Sequence, residues 1–283
     1  MVVRVDFTRI SRLAEALREI SPHAVKAMVE KDPQYKAVRR IAERHGSLSV
    51  ALVVANALVS YRLTARGEDY WTEYARYLEA REVKDDIVMT VIDFLYKSKG
   101  NRLLRDQKTK RLRRIAGLLK DIARRPLGYR DLSFLLEALS RALSARGYEK
   151  TLAFAAKMAY YAYRSLGVDV EGKWLVPIPV DRRIALLTAT SGILEGASPS
   201  SLLSRPRLVV EAWSSVSRLS GIAMIDLDTL LWLPMKGADE LLSRGLLARA
   251  RDVYASMLVS YTGGLVSWAA ASRVSAELLH RLP

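Results

Sequence analysis

The fold follows from residues 144–181, which read SARGYEKTLAFAAKMAYYAYRSLGVDVEGKWLVPIPVD. A tight turn around Gly147 leads into Lys150, and from there apolar residues recur at three-and-four spacing, which predicts a helix over 150–166. The fourteen residues that follow contain two glycines and two prolines and predict an extended connection. Asp181 ends this connection at the position where an acid caps the next helix. The stretch is therefore a turn, a helix, a connection and the start of a further helix.

The same helical spacing continues in both directions from this stretch, and strand-like alternation of apolar and polar residues is nearly absent. Asp32-Pro33, for example, is typical of a helix start, with the proline at the first helical position. No internal repeat of fixed period is visible. The sequence therefore predicts an all-α fold, with helices over residues 10–20, 33–45, 48–63, 70–81, 85–96, 103–123, 132–143, 150–166, 182–194, 208–219, 227–233, 247–261 and 266–282.

The composition excludes several kinds of chemistry. The chain has 283 residues, enough for one large or two modest domains with a buried core. It contains no cysteine, which excludes disulfides, thiolate zinc sites, iron–sulfur clusters and a cysteine nucleophile. Its three histidines (His23, His45 and His280) are scattered, which argues against a histidine metal centre or a Ser-His-Asp triad. We therefore expect chemistry carried by carboxylates, amines, amides and aromatic rings.

Positive charge is concentrated in residues 97–125, KSKGNRLLRDQKTKRLRRIAGLLKDIARR. The chain has a net charge of +15, and this stretch, with 12 basic and two acidic residues, holds +10 of it. Its apolar stripe predicts a helix docked by one side, with a dense cationic surface on the other. Such a surface binds phosphates in a salt-sensitive way. The alternative interpretation is a basic helix that is only solvated and binds nothing. We expect phosphate-backbone contacts from Lys108, Lys110, Arg111, Arg113 and Arg114.

Neither membrane insertion nor secretion is indicated by the sequence. The most apolar run, residues 48–60, is 13 residues long and contains Asn56. A spanning helix needs roughly 20 apolar residues. The N-terminal residues mix charged with apolar side chains and lack the continuous apolar segment of a signal peptide. The basic stretch also lacks the large exposed apolar groups of a membrane-surface helix. We therefore expect a cytoplasmic protein with a nucleic acid as its polyanionic partner.

Lys150 and Asp181 are the strongest candidates for chemistry because of their settings. Lys150 begins a helix, where the helix dipole disfavours the protonated amine. A neutral amine is a nucleophile that can form a Schiff base. Taken alone, Lys150 is a surface lysine and Asp181 is a helix N-cap. The two residues together indicate a catalytic site more strongly than either alone. The chain combines a lysine directly after a helical hairpin with the sequence Pro-Val-Asp, residues 179–181, at the start of the following helix.

This arrangement resembles the helix-hairpin-helix DNA glycosylases, in which a hairpin leads to a catalytic lysine and a downstream aspartate starts a helix. The chain departs from the common pattern in its hairpin, SARGYEK without G-x-G, and in its lysine-to-aspartate spacing of 31 residues. Both departures are shared with the archaeal GO (8-oxoguanine) DNA glycosylases, AGOG. The resemblance to that branch covers about residues 31–236 in six blocks, KDPQYKAV, ERHG, NALVSYRLTARGEDYW, KTLAFAAKMAYYAY, PIPVDRRIALLT and LDTLLWL.

The resemblance implies a helix-hairpin-helix glycosylase fold, in which the whole chain, residues 1–283, is one catalytic unit. Two helical subdomains are expected, with the active site in the cleft between them. The first would comprise residues 47–180, including the hairpin. The second would combine residues 1–46 with 181–283.

The resemblance also implies a bifunctional DNA glycosylase and AP lyase that excises 8-oxoguanine. Lys150 would attack C1′ of the damaged nucleotide, and Asp181 would stabilise the developing sugar cation and assist deprotonation. The resulting imine would permit β-elimination and nicking of the strand. This chemistry needs neither a cofactor nor a metal.

Base recognition in such an enzyme requires the nucleotide to be flipped out of the duplex, stacked and read on its edges. The resemblance implies that Phe154 and Trp232 are the stacking walls. Gln34 and Asp228 would bind the guanine edge, with Asp226 as a competitor for the second role. Trp71 would supply an indole N–H donor. Lys157, two helical turns beyond Lys150, would either pair with Asp181 or touch the base.

The implied partner is double-stranded DNA that contains 8-oxoguanine, with single-stranded DNA as a further candidate. A monomer that associates with the nucleoid through DNA is the expectation. Two alternatives remain open at this point. One is a helix-hairpin-helix glycosylase for another lesion, such as an oxidised pyrimidine. The other is a non-catalytic helical protein that binds nucleic acid.

Overall fold

The computed structural model describes residues 3–83 and 86–283, and its regular structure is almost entirely helical, which agrees with the predicted all-α fold. Two short strands, β1 (Arg4–Val5) and β2 (Leu194–Glu195), pair in antiparallel fashion. The helices are α1 (Phe7–Leu17), α2 (Pro22–Lys31), α3 (Pro33–His45), α4 (Ser49–Ala57), α5 (Gly67–Glu79), α6 (Ile87–Lys97), α7 (Arg105–Arg114), α8 (Ala116–Arg124), α9 (Leu132–Leu143), α10 (Lys150–Ser165), α11 (Arg182–Ser191), α12 (Pro199–Leu203), α13 (Pro206–Ser220), α14 (Met224–Trp232), α15 (Ala238–Ser243), α16 (Leu247–Thr262) and α17 (Trp268–Leu278).

The chain divides into two compact units, which differ in their boundaries from the subdomains predicted from the sequence. One unit comprises residues 33–176, and the other combines the segment before Pro33 with residues 177–283. Helix α3 accounts for the main difference. The prediction grouped it with residues 181–283, whereas in the structure it packs against α5 and α10 of the unit of residues 33–176. The N-terminal boundary therefore lies after Asp32 rather than after Gly46.

The unit of residues 33–176 is built around α4. Every residue of this helix is buried, because its sequence SVALVVANA has no polar face to turn toward water. Helix α10 packs along α4, and each of these two helices also contacts others: α3, α6 and α8 contact α4, while α3 and α9 contact α10. The only long polar side chain of α4, Asn56, accepts a hydrogen bond of 2.5 Å from the Tyr70 hydroxyl. The core of this unit thus supports α10, which begins at Lys150.

The second unit surrounds α11, the helix that begins after Asp181. Helices α12, α14 and α17 contact α11, while α1 packs on α13 and α17. Within this core the Trp213 Nε1–H donates to the Thr188 hydroxyl at 2.9 Å, which satisfies a buried indole. The C-terminal end of α11 is tied to the rest of the unit by Arg9, whose Nε donates to the Ser191 carbonyl at 2.9 Å. The C-terminal half of α11 is therefore fixed by side chains from two other helices.

The predicted helix over 103–123 is wrong, because the structure contains two helices, α7 and α8, that are separated by Ile115. Leu103 and Leu104, assigned to the apolar stripe, are about half exposed. Helix α7 carries only one buried leucine, Leu112, so its apolar side is too narrow to continue as one long amphipathic helix.

Other differences are small. The helices α2, α12 and α15 were not predicted, and α4 ends at Ala57, six residues before the predicted end. The helix predicted over residues 85–96 corresponds to α6. Its predicted first residue, Asp85, lies outside the described residues. Helix α6 begins at Ile87, and the Asp86 side chain before it accepts a hydrogen bond from the Met89 amide.

Two further observations bear on function. Within the described ranges, no single helix is long and apolar enough to cross a bilayer. In this same part of the chain, one pair of consecutive helices, α13 and α14, reaches the required length and composition together, but the two helices are bent by 102° relative to each other. Over the same ranges, no three acidic or histidine side chains are grouped so that they could hold a metal ion.

Candidate functional site

The hairpin between α9 and α10 presents Lys150 at its end. The turn contains Ser144 and Gly147 with φ of 53° and 92°, and the second of these values suits glycine because it has no Cβ. The Glu149 carboxylate closes the turn, since it accepts from the amides of Arg146 at 2.7 Å and Gly147 at 2.8 Å. Lys150 is the first residue of α10 and is exposed. The side chain is therefore accessible at a helix N-terminus; the start of the helix at Lys150 was predicted from the sequence.

Phe154 and Lys157 follow Lys150 along one face of α10. Positions 150, 154, 157 and 161 share this face because they are separated by three or four residues. Phe154 is half-buried, whereas Lys157 is 4% exposed. The Lys157 ammonium lies 5.5 Å from the centroid of the Tyr161 ring, a cation–π contact that compensates its burial in part. Sequence reasoning missed Tyr161, although its spacing of four residues from Lys157 could have indicated it.

Gln34 and Trp71 lie in the same unit as this face. Gln34 is buried at the start of α3, and its Nε2 lies 3.3 Å from the position that a Cβ on Gly67 would take. A larger residue at position 67 would therefore push against this amide. Trp71, one turn after Gly67 on α5, contacts Phe154 edge to face with ring centroids 5.9 Å apart. The structure thus groups Gln34, Trp71, Phe154 and Lys157 in the unit of residues 33–176.

The indole nitrogen of Trp71 is an exception to the rule that buried polar groups are hydrogen-bonded. Trp71 is fully buried, yet its Nε1 has no hydrogen-bond partner among the described residues of the protein. A buried donor without a partner costs stability and calls for an explanation. The predicted role of Trp71 as a donor to a bound base provides one.

Asp181, Asp228 and Trp232 belong to the other unit. The Asp181 carboxylate caps α11, because its Oδ1 accepts from the amides of Arg183 at 2.9 Å and Ile184 at 3.0 Å. Its Oδ2 accepts from the Trp232 Nε1–H at 3.0 Å. Donors on both oxygens fix the plane of this carboxylate. The capping role was predicted, whereas the hydrogen bond from Trp232 could not be read from the sequence.

Asp228 lies one helical turn before Trp232 on α14 and shares a face with it. It is 4% exposed. Asp226, the competitor in the sequence, is half-buried and lies on a different face of the same helix. The shared face favours Asp228 over Asp226 for a role beside the Trp232 ring.

The basic stretch is largely exposed, as predicted, but Lys108 is an exception. Nine of its 12 basic residues are exposed, among them Lys110, Arg113 and Arg114. Lys108 is instead fully buried: its ammonium donates to Asn101 Oδ1 and lies 4.7 Å from the Tyr61 ring centroid. Burial lowers the pKa of Lys108 to about 8. The prediction that Lys108 contacts a phosphate backbone is therefore wrong, because the side chain is held inside the protein.

We expect Lys108→Ala to lower the free energy of unfolding by about 1–3 kcal/mol, since it removes the donor that satisfies the buried Asn101 oxygen. Denaturant unfolding followed by circular dichroism measures this change. Lys110→Ala is the matched control, because this exposed lysine lies on the same helix. Equal losses in the two variants would contradict the structural role of Lys108.

A cavity of about 370 Å³ lies beside the hairpin and is lined by Lys110, Arg111, Arg114 and Glu149, among others. Arg111 Nη2 donates to the Thr151 hydroxyl at 2.8 Å, and Arg114 Nη2 donates to the Ser144 hydroxyl at 2.6 Å. These two bonds tie α7 to the hairpin and to the first turn of α10. Burial lowers the pKa of Arg111 from its usual value. The basic surface is therefore attached to the same turn that presents Lys150.

Chemically, the first unit offers an accessible amine and a cluster of aromatic and amide groups. The second unit offers a fixed carboxylate beside an indole. An amine and a carboxylate suffice for imine formation and proton transfer.

Comparison with known proteins identifies relatives over most of the chain. The family model AGOG, N-glycosylase/DNA lyase, matches residues 14–259. An N-glycosylase/DNA lyase of Aeropyrum pernix is 35% identical over 270 residues, which cover 89% of this chain and 93% of the relative. An N-glycosylase/DNA lyase of Pyrobaculum aerophilum is 34% identical over 228 residues, with coverages of 80% and 86%.

A solved structure is also similar. It is the 8-oxoguanosine complex of Pa-AGOG, an 8-oxoguanine DNA glycosylase from Pyrobaculum aerophilum. The two chains superimpose with a TM-score of 0.72 and 30% identity, and the match covers 92% of this chain and 97% of the other. The all-helical fold is thus shared over nearly the whole length of both proteins.

Proposed function

The chain belongs to the AGOG family of N-glycosylase/DNA lyases, and from this premise we propose that it excises 8-oxoguanine from DNA and then nicks the strand. The observation that carries the proposal is the exposed Lys150 amine at the start of α10, directly after the hairpin. The related Pa-AGOG structure, which is described as a complex with 8-oxoguanosine, supports the choice of lesion. Reduction with borohydride in the presence of DNA that contains 8-oxoguanine tests it.

In the first step the neutral Lys150 amine attacks C1′ of the damaged nucleotide. The bond between C1′ and N9 breaks, and its electron pair leaves with the base, which takes up a proton. The sugar carries positive charge as this bond lengthens, and the Asp181 carboxylate stabilises that charge.

In the second step the bond between C1′ and O4′ breaks, O4′ takes up the proton that the attacking amine loses, and the nitrogen of Lys150 and C1′ form a protonated imine. The protonated imine withdraws electrons, so that a proton can be removed from C2′, with Asp181 assisting its transfer. The electron pair left at C2′ expels the 3′ phosphate, which cuts the strand. Water then hydrolyses the imine and frees Lys150. The balance of these steps requires no oxidant, metal or organic cofactor.

The base is held by groups from the clusters described above. Phe154 and Trp232 stack on its faces, while Gln34 and Asp228 bind its edge. The Gln34 amide can both donate and accept, and the Asp228 carboxylate accepts from guanine N1 and N2. Lys157 either pairs with Asp181 or touches the base, the two roles that the family resemblance implies. Its contact with the Tyr161 ring fixes the ammonium within that cluster.

Trp71→Phe is expected to slow excision of 8-oxoguanine about tenfold, the effect of losing one hydrogen bond of about 1.4 kcal/mol in the site. Nicking of a preformed abasic site should stay within about twofold of the wild type, because no base is bound in that reaction. Single-turnover assays on the two substrates measure these rates. An equal loss on both substrates would argue against contact between the Trp71 indole and the base.

The exposed basic residues contact the phosphate backbone in this proposal. Simultaneous replacement of Lys110, Arg113 and Arg114 by alanine should weaken DNA binding and reduce the slope of log K against log salt by about 0.9 for each lost phosphate contact. Fluorescence anisotropy at several salt concentrations measures the slope. The control is a triple variant of equal charge change at the exposed Arg39, Arg207 and Arg218. The same loss of slope in the control would mean that only the net charge matters.

The proposal extends to two finer points. We expect the enzyme to act as a monomer, which light scattering checks. We also expect it to accept single-stranded DNA, because a nucleotide outside a duplex needs no flipping. The alternative of a glycosylase for another lesion is tested separately. Excision rates on duplexes that contain either 8-oxoguanine or an oxidised pyrimidine show which lesion the enzyme prefers.

A further inference from the structure

Asp181, the catalytic carboxylate of the proposed function, is connected to Asp239 through contacts of Trp232 and Arg183, all within residues 177–283. Asp181 Oδ2 accepts from the Trp232 indole at 3.0 Å. The guanidinium carbon of Arg183 lies 4.3 Å from the centroid of the Trp232 ring. Arg183 Nε donates in turn to Asp239 Oδ2 at 3.1 Å. The chain of contacts therefore runs from Asp239 through Arg183 and Trp232 to Asp181.

Trp232 needs such support because of its position. It is the last residue of α14 and only half-buried, so surrounding side chains do not enclose the indole. A rotation of the ring would carry the Nε1–H away from Asp181, since hydrogen bonds weaken steeply when their geometry departs from linear. A contact on the face of the ring opposes this rotation.

Arg183 provides that contact and is itself held in place. Its backbone amide donates to Asp181 Oδ1, and its side chain is fixed by Asp239, so both ends of the residue are anchored. The planar guanidinium lies over the indole face, the arrangement of a cation–π contact. Lysine would supply the charge without the flat face.

We infer that Arg183, anchored by Asp239, is a positioning residue that holds the Trp232 indole so that its Nε1–H fixes the Asp181 carboxylate. The inference rests on the proposed function, in which Asp181 stabilises the sugar cation and assists proton removal. Arg183 touches neither the sugar nor the base in this role. It acts through Trp232 on the orientation of Asp181.

A double-mutant cycle tests this role, with single-turnover excision of 8-oxoguanine at saturating enzyme as the readout. Arg183→Ala is expected to slow excision about tenfold in the wild-type background, the size of one lost cation–π contact at a partly buried site. In a Trp232→Phe background, which lacks the indole N–H, the same substitution should change the rate less than about twofold. A merely structural role of Arg183 would give equal losses in both backgrounds and would overturn the inference.

Two further variants keep the test decisive. Asp239→Asn releases Arg183 without removing it, so it should slow excision in the wild-type background and leave the Trp232→Phe protein unchanged. Arg182→Ala removes an exposed arginine from the same turn and should leave the rate at saturating enzyme within about twofold. A wild-type protein inactive on 8-oxoguanine would overturn the proposed function, and with it this inference. An active wild type with additive losses would overturn the inference alone.

Discussion

Lys150→Ala is expected to yield no covalent adduct when borohydride is added to a reaction with DNA that contains 8-oxoguanine. Strand nicking should fall by several orders of magnitude, because the substitution removes the group that forms the covalent intermediate in the proposed mechanism. Denaturing gel electrophoresis of labelled DNA measures both the adduct and the nick. Folding should be nearly unaffected, since Lys150 is exposed at the first position of α10.

The matched control for this variant is a second lysine on the same helix. Lys157→Ala should still be trapped by borohydride, although its excision rate should fall because the ammonium beside Tyr161 is lost. An adduct that persists in Lys150→Ala and disappears in the double variant would move the nucleophile to Lys157. That result would contradict the proposed mechanism at its first step.

Asp181→Asn is expected to slow excision about a hundred- to a thousandfold, the usual cost of removing one group that stabilises charge in the transition state. The substitution isolates the charge, because asparagine caps helices nearly as well as aspartate. One acceptor is lost, however, since an amide has a single oxygen for the α11 amides and the Trp232 indole. Unfolding measurements should therefore show a loss of only about 1 kcal/mol.

A preformed abasic site separates the two roles proposed for Asp181. Nicking of this substrate depends on removal of the C2′ proton and not on departure of the base. We expect Asp181→Asn to slow this reaction as well, though less than excision, because the imine itself activates the proton. An unchanged excision rate with normal folding would show that Asp181 is only a helix cap.

Part of this behaviour could be predicted from the sequence because it depends on neighbours along the chain. The three-and-four spacing that ends at Leu166 gave α10, and Asp181 at the start of α11 is a cap in the structure as predicted. The six sequence blocks placed the chain in its family, and the family model agrees over residues 14–259. Most of the basic stretch is exposed, as its density of charge required.

Other features were decided only by the tertiary structure. Lys108 has the same sequence context as its exposed neighbours, yet it is buried because Asn101 and Tyr61 meet its ammonium. The hydrogen bond between Trp232 and Asp181 joins residues that are 51 positions apart. The net charge of +10 that residues 97–125 carry became a defined surface only after folding. A periodic pattern is local and predicts a helix, whereas burial and hydrogen-bond partners are set by packing between segments that are distant in sequence.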